Sequence, residues 1–417
     1  MSASVVSPAP PTDAVRRRLI GTLFVGSGLN RTGYLLAVTV MALAAEELLG
    51  SARWSGLPAA VTTIGIAVGT VPLSALMART GRRPGTSIGL VVSALAALTA
   101  AGALAIESFF VLTAATFVFG FGAAADRLAR YAAADVSDPN KAGSAIAAIV
   151  WAGTVGSVVG PSLLRPAQSF AESLGLPGLA GAFLFAAAFL TVSAAVIWMA
   201  LRPDPLTFAP RSQDADEQAV PWEDVRRAAR RPNVWYAAVA LVVGQLVMVV
   251  IMAMTPIHIR NAGLGLESVG LVISAHTFGM FALSPLTGWL TGRIGLVRVI
   301  VIGQIMLIAS AVIAMPLQGD DTSLLVVALW LLGLGWNFGF VAGSALVTEG
   351  LTGALRLRIQ GLADTLVWTS GAVAALSSGI VLDWGGYGRL ALIGAVVSAV
   401  ALATRLRYRP AAAPVRV

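Results

Sequence analysis

The chain has 417 residues, of which 57% are hydrophobic and only 12% are charged, and its mean hydropathy is +0.83. A soluble domain carries about twice that charged fraction, because its surface must face water. The formal net charge of +8 does not indicate nucleic-acid binding, since the basic residues fall in short clusters and form no basic face with interleaved aromatics. The chain contains no cysteine, which excludes disulfides, thiolate metal sites and a cysteine nucleophile.

Long apolar runs follow one another along the chain, each long enough to cross a hydrocarbon core of about 30 Å as roughly 20 helical residues. The runs are continuous and rich in Ala, Leu, Val and Gly, which favours helices over the short alternating segments of a barrel. The sequence therefore predicts an all-α protein of twelve spans within a lipid bilayer. The spans are predicted near 18–42, 56–77, 85–106, 108–130, 142–163, 179–201, 234–256, 268–290, 298–318, 323–348, 359–380 and 389–405.

The distribution of basic residues predicts the orientation. Most of the 28 Lys and Arg residues fall on one side of the predicted membrane, and Arg53, Arg165, Arg260 and Arg389 are the ones on the other side. Cytoplasmic loops carry such an excess, so both termini are predicted to be cytoplasmic. The predicted segments are a disordered N-terminus at 1–17, a bundle at 18–201, a linker at 202–233, a second bundle at 234–405 and a tail at 406–417.

Weak sequence repeats relate the two predicted bundles. Arg79 and Gly81 follow span two, and Arg293 and Gly295 follow span eight at an offset of 214. Paired glycines in span four recur in span ten, and a Val-Trp pair in span five recurs in span eleven, at similar offsets. Internal repeats of this kind around a central pathway are typical of transporters.

The loop after span two resembles the signature loop of the major facilitator superfamily, which reads Gly-x3-Asp-Arg-x-Gly-Arg-Arg. This chain supplies Arg79, Gly81, Arg82 and Arg83, but Ala78 stands at the position of the aspartate. In the family that aspartate helps to latch the cytoplasmic side. The resemblance covers nearly the whole chain and implies two pseudo-symmetric six-helix bundles, a small-molecule substrate, a monomer and a bacterial cytoplasmic membrane.

Two further stretches resemble parts of the same family. Gly156, Gly160 and Pro161 in span five are similar to a Gly-x3-Gly-Pro motif of proton-coupled exporters. The resemblance implies export coupled to protons, although such glycines also let two helices pack closely and Pro161 bends a helix without further function. The stretch that begins at Arg130 resembles the end of span four in a bacterial subgroup and is included among the candidate gating residues.

Several charged residues are predicted inside spans, where a charge costs roughly 2.5–3.5 kcal/mol on insertion scales. Arg31 lies in the middle of span one beside Asn30, and it is a candidate to bind an anionic or carbonyl-bearing group. It can instead extend to the membrane surface or pair with helical carbonyls. Asp126 and Arg127 near the end of span four are a candidate proton-sensitive gate or a structural pair. Adjacent helical residues point about 100° apart, so these two do not share one partner.

One face of span eleven offers a candidate coupling acid. Gln360, Asp364 and Trp368 recur every four residues and therefore share a face. A carboxyl in a span is a candidate for reversible protonation. The alternative for Asp364 is an interdomain hydrogen bond at the cytoplasmic mouth.

Other polar residues in the spans extend the set of candidates. His276 in span eight has an imidazole that exchanges protons near neutral pH. Gln245 in span seven and Asn337 in span ten lie among residues that suit an adaptable pocket. Packing between helices explains each of these three residues equally well or better.

The motifs of several enzyme classes are missing. The sequence has no Gly-x4-Gly-Lys phosphate loop and no His-Glu-x2-His, and its one Gly-x-Ser-x-Gly match, from Gly85 to Gly89, lies at the start of predicted span three and not at a strand-to-helix turn. We therefore expect no enzymatic activity, no cofactor and no metal. The sequence favours a proton-coupled exporter of a small organic molecule by alternating access. The alternatives are a proton-coupled nutrient importer, if Arg31 binds an anionic substrate, and a transport-inactive sensor or scaffold.

Overall fold

The structure is a computed structural model that describes residues 11–137, 142–208, 221–317, 321–351 and 353–406. Within its helices, the side chains at 129–131, 134, 142–148, 150, 353, 354 and 357 are not described. The prediction of a disordered N-terminus falls largely outside these ranges, as does the predicted tail. The side chain of Arg130 also lies outside the described residues.

Helices make up nearly all of the described chain, and no strand occurs within those ranges. The α-helices are α1 (Asp13–Leu49), α2 (Leu57–Thr80), α3 (Arg82–Ala105), α4 (Phe109–Asp135), α5 (Ala142–Ser162), α6 (Leu164–Ser173), α7 (Ala180–Ala200), α8 (Trp222–Ala229), α9 (Pro232–Asn261), α10 (Leu266–Phe281), α11 (Ser284–Ile294), α12 (Leu296–Ala314), α13 (Thr322–Val347) and α14 (Gly353–Ala403). Short 3-10 helices span Ala52–Trp54, Pro205–Phe208 and Thr404–Leu406.

Ten segments of the described chain are long and apolar enough to cross a membrane. The last of them, Arg358–Leu406, has 49 residues and would be roughly 74 Å long at 1.5 Å per residue, more than twice the hydrocarbon thickness. The left-handed Gly386 (φ 72°) breaks it, so it holds predicted spans eleven and twelve. The 21 residues of α5 are span five, and twelve spans result.

The first helix is longer than the predicted span at 18–42. It begins at Asp13 because the Thr12 side chain accepts a hydrogen bond from the amide of Val15, which caps the helix N-terminus. It ends at Leu49 because Gly50 adopts φ 64° and its amide bonds back to Glu46. A glycine at this position is the common helix stop.

Two short helices lie outside the spans. The helix α6 follows span five, and α8 occupies the part of the linker where a short surface helix was predicted. The chain groups into two compact units, one of Met1–Gln213 with Val269–Ser274 and the other of Asp214–Ser268 with Ala275–Val417. The first break, after Gln213, falls within the predicted linker.

Each unit has its own set of packed helices. In unit 1, α1 packs against α4, α5 and α7, and α3 packs against α4 and α7. In unit 2, α9 packs against α13 and α14, and α12 packs against α13 and α14. The buried core of each unit is built mainly from Leu, Val, Ile and Ala side chains.

The two units repeat the same close helix contacts. A Cβ on Gly120 would lie 2.7 Å from the amide nitrogen of Ile66, and a Cβ on Gly333 would lie 3.0 Å from that of Met280. Gly65 likewise meets the backbone of Phe117 as Gly279 meets that of Trp330. Each residue of the second unit lies 213 or 214 positions after its counterpart. The repeat predicted from short motifs therefore extends to the close contacts between a glycine of one helix and the backbone of the next.

Candidate functional site

An ion pair joins the middle of α1 to α4 inside unit 1. Arg31 Nη2 lies 3.3 Å from Asp126 Oδ2. The Asp126 side chain is 9% exposed and the Arg31 side chain is 33% exposed. A charged group inside a span is costly unless it has a partner or faces a cavity, and Asp126 provides such a partner for Arg31.

Ser27 completes the surroundings of the carboxylate. Its hydroxyl donates to Asp126 Oδ1 at 2.5 Å, so each carboxylate oxygen has its own partner. Ser27 and Arg31 lie one turn apart on the same face of α1, which is why both reach one carboxylate. The sequence does not reveal this partner or this pair, because Arg31 and Asp126 are 95 residues apart. The four-residue spacing from Ser27 to Arg31 was the one available signal.

The glycines of span five hold α5 against α1 beside this pair. A Cβ on Gly153 would lie 3.4 Å from Arg31 Nε. A Cβ on Gly160 would lie 2.5 Å from the carbonyl oxygen of Thr32, and one on Gly156 would overlap the carbonyl oxygen of Gly28. Gly156 and Gly160 thus perform the packing role that the sequence allowed, and Pro161 lies in the last turn of α5.

A small cavity lies behind the ion pair, between α1, α3, α4 and α7. Its polar lining includes Ser27, Asn30, Thr86, Asp126 and Ser193. Asn30 is 3% exposed and Thr86 is 2% exposed. Neither Asn30 Oδ1 nor Thr86 Oγ1 has a hydrogen-bond partner among the described residues. Asn30 lines this internal cavity, and its predicted role in binding substrate together with Arg31 stays a prediction.

Unit 2 has a neutral residue at the position equivalent to Arg31. Gln245 lies 214 positions later, on α9, and accepts a hydrogen bond from Trp336 Nε1 at 2.9 Å. Gly371 of α14 approaches Gln245 as Gly153 approaches Arg31. The two units therefore share a helix contact but differ in charge at its centre.

The other polar candidates of unit 2 are engaged in helix packing. Asn337 donates to the carbonyl of Met280 at 2.6 Å and accepts from Thr287 at 2.5 Å. His276 is fully buried, and its Nδ1 lies 2.9 Å from the carbonyl of Leu329. These bonds join α13 to the α10–α11 segment, and the bond from Trp336 to Gln245 joins α13 to α9. They support the packing alternative for all three residues.

The candidate face of span eleven is more exposed than expected for a face that holds a buried coupling acid. Gln360 and Asp364 are exposed on α14, and Trp368 is half-buried. Asp364 and Trp368 both make contacts with other residues. The role of these three residues in coupling stays a prediction.

A carboxylate from a distant part of the chain lies against the loop between α2 and α3, whose motif lacks the usual aspartate. Asp204, which follows α7, accepts hydrogen bonds from the amides of Arg82 at 3.0 Å and Arg83 at 2.9 Å. It thereby caps the N-terminus of α3, where a negative charge is favourable. Gly81 adopts φ +109°, and a Cβ there would collide with the Asp204 carboxylate. Asp204 is thus built into the loop whose motif has Ala78 in place of aspartate.

The basic residues of this loop have separate partners. Arg82 Nε donates to Asp135 Oδ2 at 2.8 Å, and the Arg83 guanidinium lies 4.7 Å from the centroid of the Trp198 ring. Arg79 is exposed. In the second loop, Arg293 stacks on Trp289 at 5.1 Å. Cation–π contacts of this kind fix arginines near a membrane surface.

We expect Asp204→Ala to lower the free energy of unfolding by about 1–2 kcal/mol, because it removes a helix cap and leaves backbone amides unpaired. Thermal unfolding of the purified protein in detergent measures this loss. Thr207→Ala is the matched control, since the Thr207 hydroxyl bonds only to the backbone of Asp204 at an exposed site. Equal losses in both variants would contradict the capping role.

The helical architecture with an internally paired charge at the centre of one bundle is that of a membrane transporter. The family model of the Major Facilitator Superfamily matches residues 23–270 and 249–417. The chain belongs to the Major Facilitator Superfamily, and it is a multi-pass membrane transporter, not an enzyme.

Known proteins similar to this chain agree with that assignment. The MFS-type transporter YdeG of Bacillus subtilis is 36% identical over 407 residues, covering 95% of this chain and 93% of the relative. The riboflavin transporter RfnT of Brucella anthropi is 28% identical, covering 96% of this chain and 98% of the relative.

Solved structures share the fold at low sequence identity. The nucleoside transporter NupG superposes with a TM-score of 0.75 at 14% identity, over 94% of this chain and 100% of that one. A bacterial homologue of the human lysosomal transporter Spinster gives a TM-score of 0.71 at 13% identity, over 97% of this chain and 100% of that one.

Proposed function

We propose that this protein takes up a small organic anion together with a proton, using the Arg31–Asp126 pair as the coupling element. The observation that supports this is the asymmetry of the pair: Arg31 is 33% exposed, whereas Asp126 is 9% exposed. A substrate carboxylate or phosphate meets the guanidinium first. The Arg31 guanidinium then pairs with the substrate instead of with Asp126, and the unpaired carboxylate becomes easier to protonate.

The charge balance of the pair favours joint binding. In the empty site Arg31 and Asp126 cancel each other, and in the doubly occupied site the anion cancels Arg31 while Asp126 is protonated. The half-occupied states leave one net charge in the span, which is costly. Substrate and proton therefore each promote the binding of the other, as linkage requires, and an inward proton gradient drives uptake.

The test is a mass-spectrometric comparison of cell contents and medium, with and without the protein, at imposed pH gradients. We expect organic anions to accumulate inside cells that contain the wild-type protein, at least tenfold less in Arg31→Ala cells, and not at all when a protonophore removes the gradient. Compounds that leave the cells in a protein-dependent way would contradict uptake. No difference under any feed would favour the sensor or scaffold hypothesis.

Proton-driven export is the second candidate. It is supported by the resemblance of Gly156, Gly160 and Pro161 to the exporter motif. Export in exchange for a proton requires that substrate and proton compete for the same group. A cationic substrate would compete with the proton for the Asp126 carboxylate. Protein-dependent resistance to toxic organic cations distinguishes this candidate, since an anion importer gives no such resistance.

Riboflavin belongs among the first compounds to feed, because the relative RfnT is a riboflavin transporter. Its ring carbonyls can accept hydrogen bonds from a guanidinium such as that of Arg31. Riboflavin is neutral, so its uptake would be expected to depend less on the proton gradient than uptake of an anion. Flux of labelled riboflavin into cells, with and without the protonophore, separates the two substrate classes.

A further inference from the structure

We propose that the cavity behind the Arg31–Asp126 pair binds an ordered water molecule, which solvates Asp126 on the side away from Arg31. The observations are the two buried polar atoms that face the cavity without a partner among the described residues, Asn30 Oδ1 and Thr86 Oγ1. A buried polar atom left unpaired is costly, and more than nine in ten such groups have a partner. Two such atoms around one cavity therefore point to a ligand that forms hydrogen bonds.

The chemistry of the lining suits water. Asn30 Oδ1 and the Asp126 carboxylate accept hydrogen bonds, and the Thr86 hydroxyl can donate one. A water molecule can give its two protons to the two acceptors and accept from Thr86, which makes the three bonds typical of buried water. The remaining polar neighbours are already occupied, because Ser27 donates to Asp126 at 2.5 Å and Ser193 donates to the carbonyl of Gly26 at 2.8 Å.

A metal cation fits this cavity less well. Arg31 lies 3.3 Å from the same carboxylate, and its charge opposes a second cation nearby. The Tyr34 hydroxyl on α1 interacts electrostatically with both Arg31 and Arg127. Of the described residues that line the cavity, from α1, α3, α4 and α7, Asp126 is the one that titrates.

The water gives Asp126 a hydrogen-bond donor that does not depend on Arg31. When a substrate anion occupies the guanidinium, the water keeps its hydrogen bond to the carboxyl group and so helps to hold Asp126 in place. This use of the site rests on the proposed function, whereas the water site itself does not. The experiment below therefore measures the site without any transport.

The test uses Thr86→Val, which keeps the shape of the side chain and removes the hydroxyl. If water is bound, the variant removes one of the hydrogen-bond partners of that water. The melting temperature of the purified protein in detergent should then fall by about 2–4 °C. If the cavity is dry, the same variant removes an unpaired hydroxyl, and the melting temperature should stay or rise. Thr86→Ser should restore the wild-type value in the first case.

Thr113→Val is the matched control, because Thr113 Oγ1 is also buried without a hydrogen-bond partner among the described residues and lies on α4 outside the cavity. We expect its melting temperature to stay or rise. Equal falls in both variants would overturn the proposal. A melting temperature that rises when sodium replaces choline in the buffer, and does so only with Thr86 present, would also overturn it in favour of a cation.

Discussion

Asp126→Asn should abolish accumulation of substrate against its gradient while leaving exchange of substrate across the membrane in place. Asparagine has the shape of the protonated aspartate and keeps an oxygen for the hydroxyl of Ser27, which lies 2.5 Å away in the wild type. The variant is therefore fixed in the state that releases Arg31. Uptake driven by an imposed pH gradient should fall at least tenfold, as measured with labelled substrate in proteoliposomes. Exchange between labelled and unlabelled substrate should persist.

Asp135→Asn is the matched control for this prediction. Asp135 also lies on α4 and also pairs with an arginine, through Arg82 Nε at 2.8 Å, but near the end of the helix. Uptake of substrate by the Asp135→Asn variant should still depend on the pH gradient. Loss of gradient dependence in both variants would show that any carboxylate on this helix affects the cycle, and it would remove Asp126 from the coupling role.

The stability of the pair provides a second, independent measurement. Removing one partner of a fully buried pair costs about 3–5 kcal/mol, and partial exposure of Arg31 reduces this to roughly 1–3 kcal/mol. Arg31→Ala and Asp126→Ala should each lower the free energy of unfolding, and the double variant should lose less than the sum of both. A coupling energy of about zero in this cycle would contradict a direct interaction.

Sequence was sufficient for the spans because lipid imposes a simple rule: each span must be a long apolar helix. It was also sufficient for the repeat, since Gly81 and Gly295 both adopt left-handed backbone conformations at the ends of matching helices. These features depend on residues that are close together in the chain. Hydropathy and turn chemistry therefore reveal them without any knowledge of packing.

The pairing of side chains between spans could not be predicted in the same way. Whether Arg31 faces Asp126, lipid or a ligand depends on how α1 and α4 are rotated, and many apolar contacts together set that rotation. Asn337 shows the converse case. Its position in the sequence suggests a pocket residue, but its side-chain amide forms hydrogen bonds with Met280, Ser284 and Thr287. Hydropathy does not distinguish a polar residue that lines a pocket from one that joins helices.

Asp204 was missed for a different reason. The motif drew attention to the position of Ala78, where the family has a carboxylate, and no local pattern indicated that a distant carboxylate would lie at the loop. The structure supplies one from a residue 122 positions after Arg82. A motif match therefore identified the loop correctly, while the origin of the negative charge could be found only from the fold.

Gly156→Ala should lower the free energy of unfolding by about 1–3 kcal/mol, the usual cost of overpacking. Its Cβ would lie 2.8 Å from the amide nitrogen of Thr32 and would overlap the carbonyl oxygen of Gly28. Both are backbone atoms of α1, so relief requires the two helices to separate. Gly153→Ala is the matched control on the same helix, since its nearest contact is a side-chain atom, Arg31 Nε, at 3.4 Å, which is ordinary van der Waals distance.

Comparing stability with transport separates packing from mechanism in span five. If Gly156 serves only to pack α5 against α1, the uptake rate of Gly156→Ala per folded molecule in proteoliposomes should equal that of the wild type. The melting temperature should fall while Gly153→Ala melts within about 1 °C of the wild type, because alanine favours the helix. If the rate per folded molecule falls at least tenfold, the glycine takes part in the conformational cycle. The resemblance to proton-coupled exporters would then describe a mechanism as well as a helix contact.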